Sequence, residues 1–270
     1  MAHLLASFVI LIAIVVSPLP RLDTPSHEPA RPDPSVENAK LRYELLWNFG
    51  GKEQRGWAIY IPLISEMVGA DADKEPLRFT QVLTTWQANN QLPATGILER
   101  DTLMWMVGMW QDVRFRERER LALLPLELVT GRSDEFYDPE REEELRQLEV
   151  ETYDAYKRMY AAAKVDLGLD ADSQFLKIIS AYRTKAYQEK LRKEAPKAGR
   201  GALAVDSPHF SGRALDLYVG AEPVTTKDLN RLLQINTPAY RWLVKNAHTY
   251  GFVPYFYEPW HWEYQGVMKQ

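Results

Sequence analysis

Two short segments near the C-terminal end of the chain hold residue types that can bind a metal ion. The first, residues 207–219, begins as a turn containing Pro208 and Gly212 and continues as an apolar run with Asp216 near its middle. The period-two geometry of a strand places Asp216 on the face opposite the apolar side chains that flank it. A buried aspartate is costly without a partner, and either a metal or Arg213 could serve as that partner.

The second segment, residues 255–264, is dense in aromatic residues and predicts a strand with His261 and Glu263 on one face. His209 and Asp216 of the first segment, together with His261, offer three nitrogen and oxygen ligands. Catalytic zinc takes that number and keeps a fourth position for water. Glu258, three residues before His261, could take the proton as that water attacks a carbonyl carbon. The spacing therefore predicts a hydrolytic zinc site.

Three motifs in this part of the chain resemble one family. They are Ser-x-His-x-x-Gly-x-Ala-x-Asp at residues 207–216, Glu-Pro-Trp-His-x-Glu-Tyr at residues 258–264, and Tyr-Arg-Thr at residues 182–184 with Gln188 following. Together they resemble the VanY-type D-alanyl-D-alanine carboxypeptidases, whose relatives include L-alanyl-D-glutamate endopeptidases. The resemblance covers about residues 139–270 and implies an α+β zinc peptidase domain with a central antiparallel sheet.

The resemblance also implies a role for each matching residue. It implies that His209, Asp216 and His261 bind zinc and that Glu258 is the general base and then the general acid. Arg183 would also be catalytic, stabilising the scissile carbonyl or binding the substrate carboxylate. The implied substrate-binding residues are Arg183, Ser207 and Gln188.

The elements that must position these residues can be predicted from their apolar patterns. Residues 175–182 have the apolar and β-branched composition of a buried strand that ends at Arg183. Residues 139–164 predict a long amphipathic helix, because Pro139 suits its first turn and aromatic residues recur near helical spacing.

An N-terminal region, residues 45–112, predicts three short helices. It includes the run Gln-x-x-Asn-x-Leu-Pro-x-Thr-Gly-x-Leu at residues 87–98. This run resembles the peptidoglycan-binding domain found beside cell-wall hydrolases, which implies a small three-helix bundle; a helical spacer is the alternative. Residues 113–138 would be an inter-domain linker.

The first residues of the chain predict export. The run Leu4–Val16 is thirteen residues long with a single polar member, too short to span a bilayer but suited to a secretory signal. We expect residues 1–20 to be a signal peptide or short membrane anchor, and residues 21–44 to be an extended, Pro-rich linker. Both alternatives predict a location in the periplasm or cell envelope.

Composition excludes several other classes of protein. The net charge of −4 gives no basic footprint for nucleic acid. The absence of cysteine excludes thiolate chemistry and cysteine-ligated metals. We therefore expect an exported zinc peptidase of peptidoglycan stem peptides, most simply one that removes the C-terminal D-alanine. The alternatives are an L-Ala-D-Glu endopeptidase and a non-catalytic protein that binds the cell wall.

Overall fold

The computed structural model describes residues 32–116, 126–194 and 207–266. The predicted export segment, residues 1–20, and the linker as far as residue 31 lie outside the described residues. The described residues from Asp33 onward form one compact unit. Within the described parts of the chain, no helix has both the length and the apolar character needed to cross a membrane.

Helices dominate the described chain. The α-helices are α1 Pro34–Glu44, α2 Ile61–Val68, α3 Pro76–Asn89, α4 Arg100–Arg116, α5 Val150–Leu167, α6 Lys185–Glu194, α7 Asp228–Ile235 and α8 Pro238–Asn246. Helix α1 lies within the segment predicted to be an extended linker. The helix forms because Asp33 accepts a hydrogen bond from the Ser35 amide at 2.8 Å and Pro34 occupies the first turn.

The N-terminal region combines a hairpin with three helices. Strands β1 Leu46–Phe49 and β2 Lys52–Arg55 pair antiparallel, and α2, α3 and α4 follow. Helix α3 ends at Asn89, as its closing asparagines predict. Buried Gln87 then organises the following turn: its Nε2 donates to the Ile97 carbonyl at 2.9 Å, and its Oε1 accepts from the Gly96 amide at 2.8 Å.

The helix predicted from Pro139 begins later in the structure, at Val150. The residues before it form a short 3-10 turn, Glu143–Arg146, and then strand β4 Gln147–Glu149, which pairs antiparallel with β3 Leu128–Thr130. Glu149 also caps α5, accepting from the Thr152 amide at 2.9 Å. Pairing with a distant strand therefore overrides the local helical pattern of residues 139–149.

A four-stranded antiparallel sheet carries the residues of chemical interest. Its strands are β5 Ile178–Ser180, β6 Ala214–Leu217, β7 Phe252–Pro254 and β8 His261–Tyr264, in the spatial order β5-β6-β8-β7. Leu215 and Leu217 of β6 are fully buried in a core shared with α5 and α8. Asp216 points away from that core, as the strand period predicts, and lies opposite His261 in the sheet register.

Candidate metal centre

Three buried side chains that can bind a metal converge at one end of this sheet. Asp216 lies on β6, His261 begins the neighbouring strand β8, and His209 lies on a 3-10 turn, Pro208–Ser211, that leads into β6. One ligand atom from each residue lies within 4.8 Å of the other two. The structure therefore brings together the three residues proposed as metal ligands.

The other contacts of the two histidines fix which nitrogen faces the centre. His209 Nδ1 lies 2.6 Å from the Ala181 carbonyl, which can only accept, so Nε2 is the nitrogen that faces Asp216, at 3.3 Å. His261 Nδ1 faces the same oxygen, Asp216 Oδ1, at 2.9 Å. His261 Nε2 lies 3.2 Å from Glu263 Oε1. Two imidazole nitrogens thus point at one carboxylate oxygen.

This donor set fits zinc. Two imidazoles and one carboxylate are the ligand types that catalytic zinc takes, and three protein ligands leave a position for water. Each imidazole holds its remaining nitrogen against an oxygen acceptor, the outer-shell arrangement typical of zinc-binding histidines.

The two histidines differ in charge. Burial and the nearby Arg183 guanidinium lower the pKa of His209 to about 4, so its imidazole is neutral and ready to bind a metal. Burial alone would lower the pKa of His261 as well, but hydrogen bonds to Asp216 and Glu263 raise it to about 9. A metal at this position would replace the Nδ1 proton of His261.

Asp216 remains ionised despite its burial. Desolvation opposes its charge, yet His209 and Arg183 hold the pKa of Asp216 well below its usual range. The arginine that pairs with it is Arg183, whereas Arg213 pairs with Glu149 at 3.3 Å. The sequence left either a metal or Arg213 as the partner of Asp216. The structure pairs Arg213 with Glu149 instead, and the position of Asp216 is compatible with a metal.

Arg183 follows β5 and connects several groups around the centre. Besides its pairing with Asp216, its Nε donates to Ser180 Oγ at 2.9 Å and its Nη1 donates to Gln188 Oε1 at 3.4 Å. These contacts use three of the five N–H bonds of the guanidinium. The other two N–H bonds have no partner among the described residues and are suited to bind a carbonyl or a carboxylate.

The remaining two residues have local roles in the structure. Ser207 caps the turn that bears His209, accepting from the His209 amide at 3.4 Å. Gln188 is buried on α6 beside Arg183. Their substrate contacts stay a prediction.

Glu258 is buried on the turn before β8. Its amide donates to the Tyr255 carbonyl and its own carbonyl accepts from the His261 amide, so the turn brings Glu258 next to His261. Its Oε1 has no hydrogen-bond partner among the described residues. Desolvation is the main reason that the pKa of Glu258 rises to about 7, and the Asp216 charge raises it further. A carboxyl group with a pKa near neutrality can both accept and return a proton.

The structure adds two residues that the sequence did not single out. Glu263 contacts His261, and Arg114 from α4 pairs with Glu263, with its Nε donating at 3.0 Å. The shared strand face of His261 and Glu263 is a sequence signal for the first contact. The second joins residues 149 positions apart and has no local signal.

Comparison with known proteins finds one family that this part of the chain resembles. Residues 145–267 match the family model described as VanY, D-alanyl-D-alanine carboxypeptidase. No curated protein matches the chain.

Three solved structures show similarity over 54% of this chain. The LdcB LD-carboxypeptidase, described for its peptidoglycan recognition, is 26% identical with 72% of its chain covered and a TM-score of 0.40. A mutant of the vancomycin-resistance D,D-pentapeptidase VanY in complex with Zn(II) is 21% identical, with 82% covered and a TM-score of 0.37. VanYB in complex with D-alanine-D-alanine is 21% identical, with 81% covered and a TM-score of 0.36.

The match spans the sheet, the three converging side chains and the turn that bears Glu258. Residues 145–267 of this chain are therefore similar to the VanY D-alanyl-D-alanine carboxypeptidase family.

Proposed function

We propose that this protein is an exported, zinc-dependent carboxypeptidase that removes the C-terminal D-alanine from peptidoglycan stem peptides. The observation that carries the proposal is the buried convergence of His209, Asp216 and His261, with the carboxyl group of Glu258 on the adjoining turn. The family match of residues 145–267 supports the same reaction class.

Each residue of the centre has its own role in the proposed hydrolysis. Zinc held by His209, Asp216 and His261 would supply Lewis acidity that makes water nucleophilic near neutral pH. Glu258 takes a proton from the attacking water at its carboxylate and returns it to the leaving amine. Its pKa of about 7 suits both transfers. Arg183 holds a substrate carbonyl or carboxylate with its remaining N–H bonds, assisted by Ser207 and Gln188.

We propose that residues 45–112 bind the cell wall and that residues 1–20 direct export to the envelope. A weak binding region on the same chain raises the local concentration of stem peptides without adding a catalytic contact.

The direct test is digestion of defined muropeptides by the purified protein with mass spectrometric analysis. We expect a single alanine to be released from stems that end in D-Ala-D-Ala. A chelator should abolish the release and added zinc should restore it. Turnover that survives verified metal removal would contradict the zinc mechanism.

The same digest separates the alternatives. Alanine release only from stems with one terminal D-alanine would indicate an L,D-carboxypeptidase. Release of larger fragments would indicate an endopeptidase. Binding of muropeptides without cleavage would indicate a non-catalytic wall-binding protein.

A further inference from the structure

Glu263 connects a proposed zinc ligand to the N-terminal part of the chain. It lies two residues after His261 on β8, and its Oε1 accepts from His261 Nε2 at 3.2 Å. Glu263 is 3% exposed, so water does not compete for this contact. A carboxylate at this position fixes the ring orientation of a metal-binding histidine.

Arg114 contacts the same carboxylate. Its Nε and Nη2 both contact Glu263 Oε1, the same oxygen that faces His261. Arg114 is 6% exposed, and a buried guanidinium that makes two contacts to one carboxylate strongly restricts its rotation.

Arg114 is itself held in position by several neighbouring residues. Its Nη1 donates to Gln111 Oε1 at 2.8 Å one turn earlier, and its backbone carbonyl accepts from Gln265 Nε2 at 3.0 Å. The guanidinium carbon also lies 4.0 Å from the centre of the Tyr255 ring, which itself packs edge-on against His261. The arginine is therefore fixed on several sides, by residues of α4 and of the C-terminal sheet region.

We infer that Arg114 and Glu263 are positioning residues for His261, so that helix α4 of the N-terminal region fixes the orientation of a zinc ligand in the region similar to the VanY family. Arg114 orients Glu263, Glu263 orients the His261 ring, and the ring presents Nδ1 toward Asp216. This inference rests on the proposed function, because it assigns the three converging side chains to zinc.

The test is a double-mutant cycle on zinc affinity with the variants Arg114→Gln, Glu263→Gln and the pair, measured by competition with a chromophoric chelator. Changes beside a metal ligand typically weaken metal binding by about 10-fold to 100-fold. We expect each single variant to lose affinity in that range. The double variant should lose little more than Glu263→Gln alone, because Arg114 acts through Glu263.

A matched control separates positioning from general destabilisation. Arg231 is a fully buried arginine that also joins the N-terminal and C-terminal regions, and its hydrogen bonds in the described chain go to the Tyr60 hydroxyl, the Tyr257 carbonyl and Asp228. Arg231→Gln should lower the thermal stability and change the zinc affinity by less than about twofold, a change far below the range for outer-shell residues. Equal losses of zinc affinity in Arg114→Gln and Arg231→Gln would overturn the inference.

Two further measurements keep the test decisive. If Arg114→Gln does not fold, Arg114→Lys keeps the charge and loses the paired contact, and we expect an intermediate zinc affinity. Substitution with Co²⁺ should give a d–d absorption spectrum that changes in Glu263→Gln and Arg114→Gln but not in Arg231→Gln. An unchanged spectrum and affinity in Arg114→Gln would overturn the role of α4.

The outcomes also separate this inference from the proposed activity. Zinc binding that depends on Arg114 in a protein without peptidase activity would contradict the proposed function and leave the positioning role standing. Full peptidase activity with zinc binding that is independent of Arg114 would support the proposed function and contradict the positioning role.

Discussion

Glu258 combines burial with a raised pKa. It is a buried carboxyl group with one oxygen that has no partner in the described chain, and burial raises its pKa to about 7. Buried polar groups are normally satisfied, so an exception beside a candidate metal site is informative. The carboxyl group is in this unfavourable environment on the turn that leads to His261, one of the proposed metal ligands.

We predict that Glu258→Gln keeps zinc bound and lowers kcat by about 10²-fold or more, because the amide cannot take a proton from water. The measurement combines zinc content with muropeptide turnover. A fully active variant would rule out Glu258 as the base.

The same variant should stabilise the protein in the presence of a chelator. At pH 8 folding has to bury an ionised carboxylate whose pKa rises from its ordinary value of 4.5 to about 7, a cost of about 3 kcal/mol that glutamine avoids. Near pH 5 the folded carboxyl group is protonated, so the gain should be much smaller. Thermal unfolding at both pH values checks the sign, and an equal gain at both would contradict the raised pKa.

At the level of elements, the turn between His209 and β6 determines where two of the ligands lie. Gly212 ends this turn with φ +67°, and its carbonyl accepts from the Glu149 amide at 3.2 Å. A β-carbon at this position would meet the Glu149 nitrogen at 2.7 Å. The turn therefore requires glycine both for its conformation and for the close approach of strand β4.

We predict that Gly212→Ala weakens zinc binding and destabilises the fold, because His209 or β6 has to shift. Gly168→Ala is the matched control: its φ is +61° but no atom lies within 4 Å of the added β-carbon. Gly168→Ala should lower the free energy of unfolding by about 1–2 kcal/mol, because alanine adopts the left-handed conformation less readily than glycine. Gly212→Ala should cost about 1–3 kcal/mol more from the clash. Urea unfolding and chelator competition measure both effects, and equal values for the two variants would contradict this role.

At the scale of the whole molecule, the loop before Glu258 belongs to the core of the N-terminal region. Phe256 is fully buried and packs against Phe49, Tyr60 and Trp110, with ring centres 4.7, 5.6 and 5.7 Å away. Tyr255 belongs to the same hydrophobic cluster. Packing in the N-terminal region is therefore coupled to the loop that carries the proposed base.

We predict that Leu83→Ala, a change in the middle of α3, destabilises the metal centre as well as its own helix. Leu83 is fully buried, and the substitution should cost about 2–5 kcal/mol. The free energy of opening that hydrogen exchange measures for the β6 and β8 amides should fall by the same amount, because one cooperative unit opens as a whole. Unchanged exchange in these strands would indicate two regions that unfold independently.

Much of the candidate centre follows from local sequence. The donor types, the strand period that turns Asp216 away from the apolar core and the three-residue spacing of Glu258 and His261 are all short-range features, so the sequence alone predicts them. The resemblance to the VanY family implied that these residues share a zinc site, and the pairing of β6 with β8 is the structural feature that brings Asp216 and His261 together.

The groups that surround those ligands depend on the tertiary structure. Three features depend on chain segments that are distant in sequence. They are the pairing of Asp216 with Arg183 rather than Arg213, the ion pair of Arg114 with Glu263, and the start of α5 at Val150 instead of Pro139. Buried ion pairs and strand pairs depend on which surfaces meet in the fold. A sequence pattern describes each segment separately and does not contain that information.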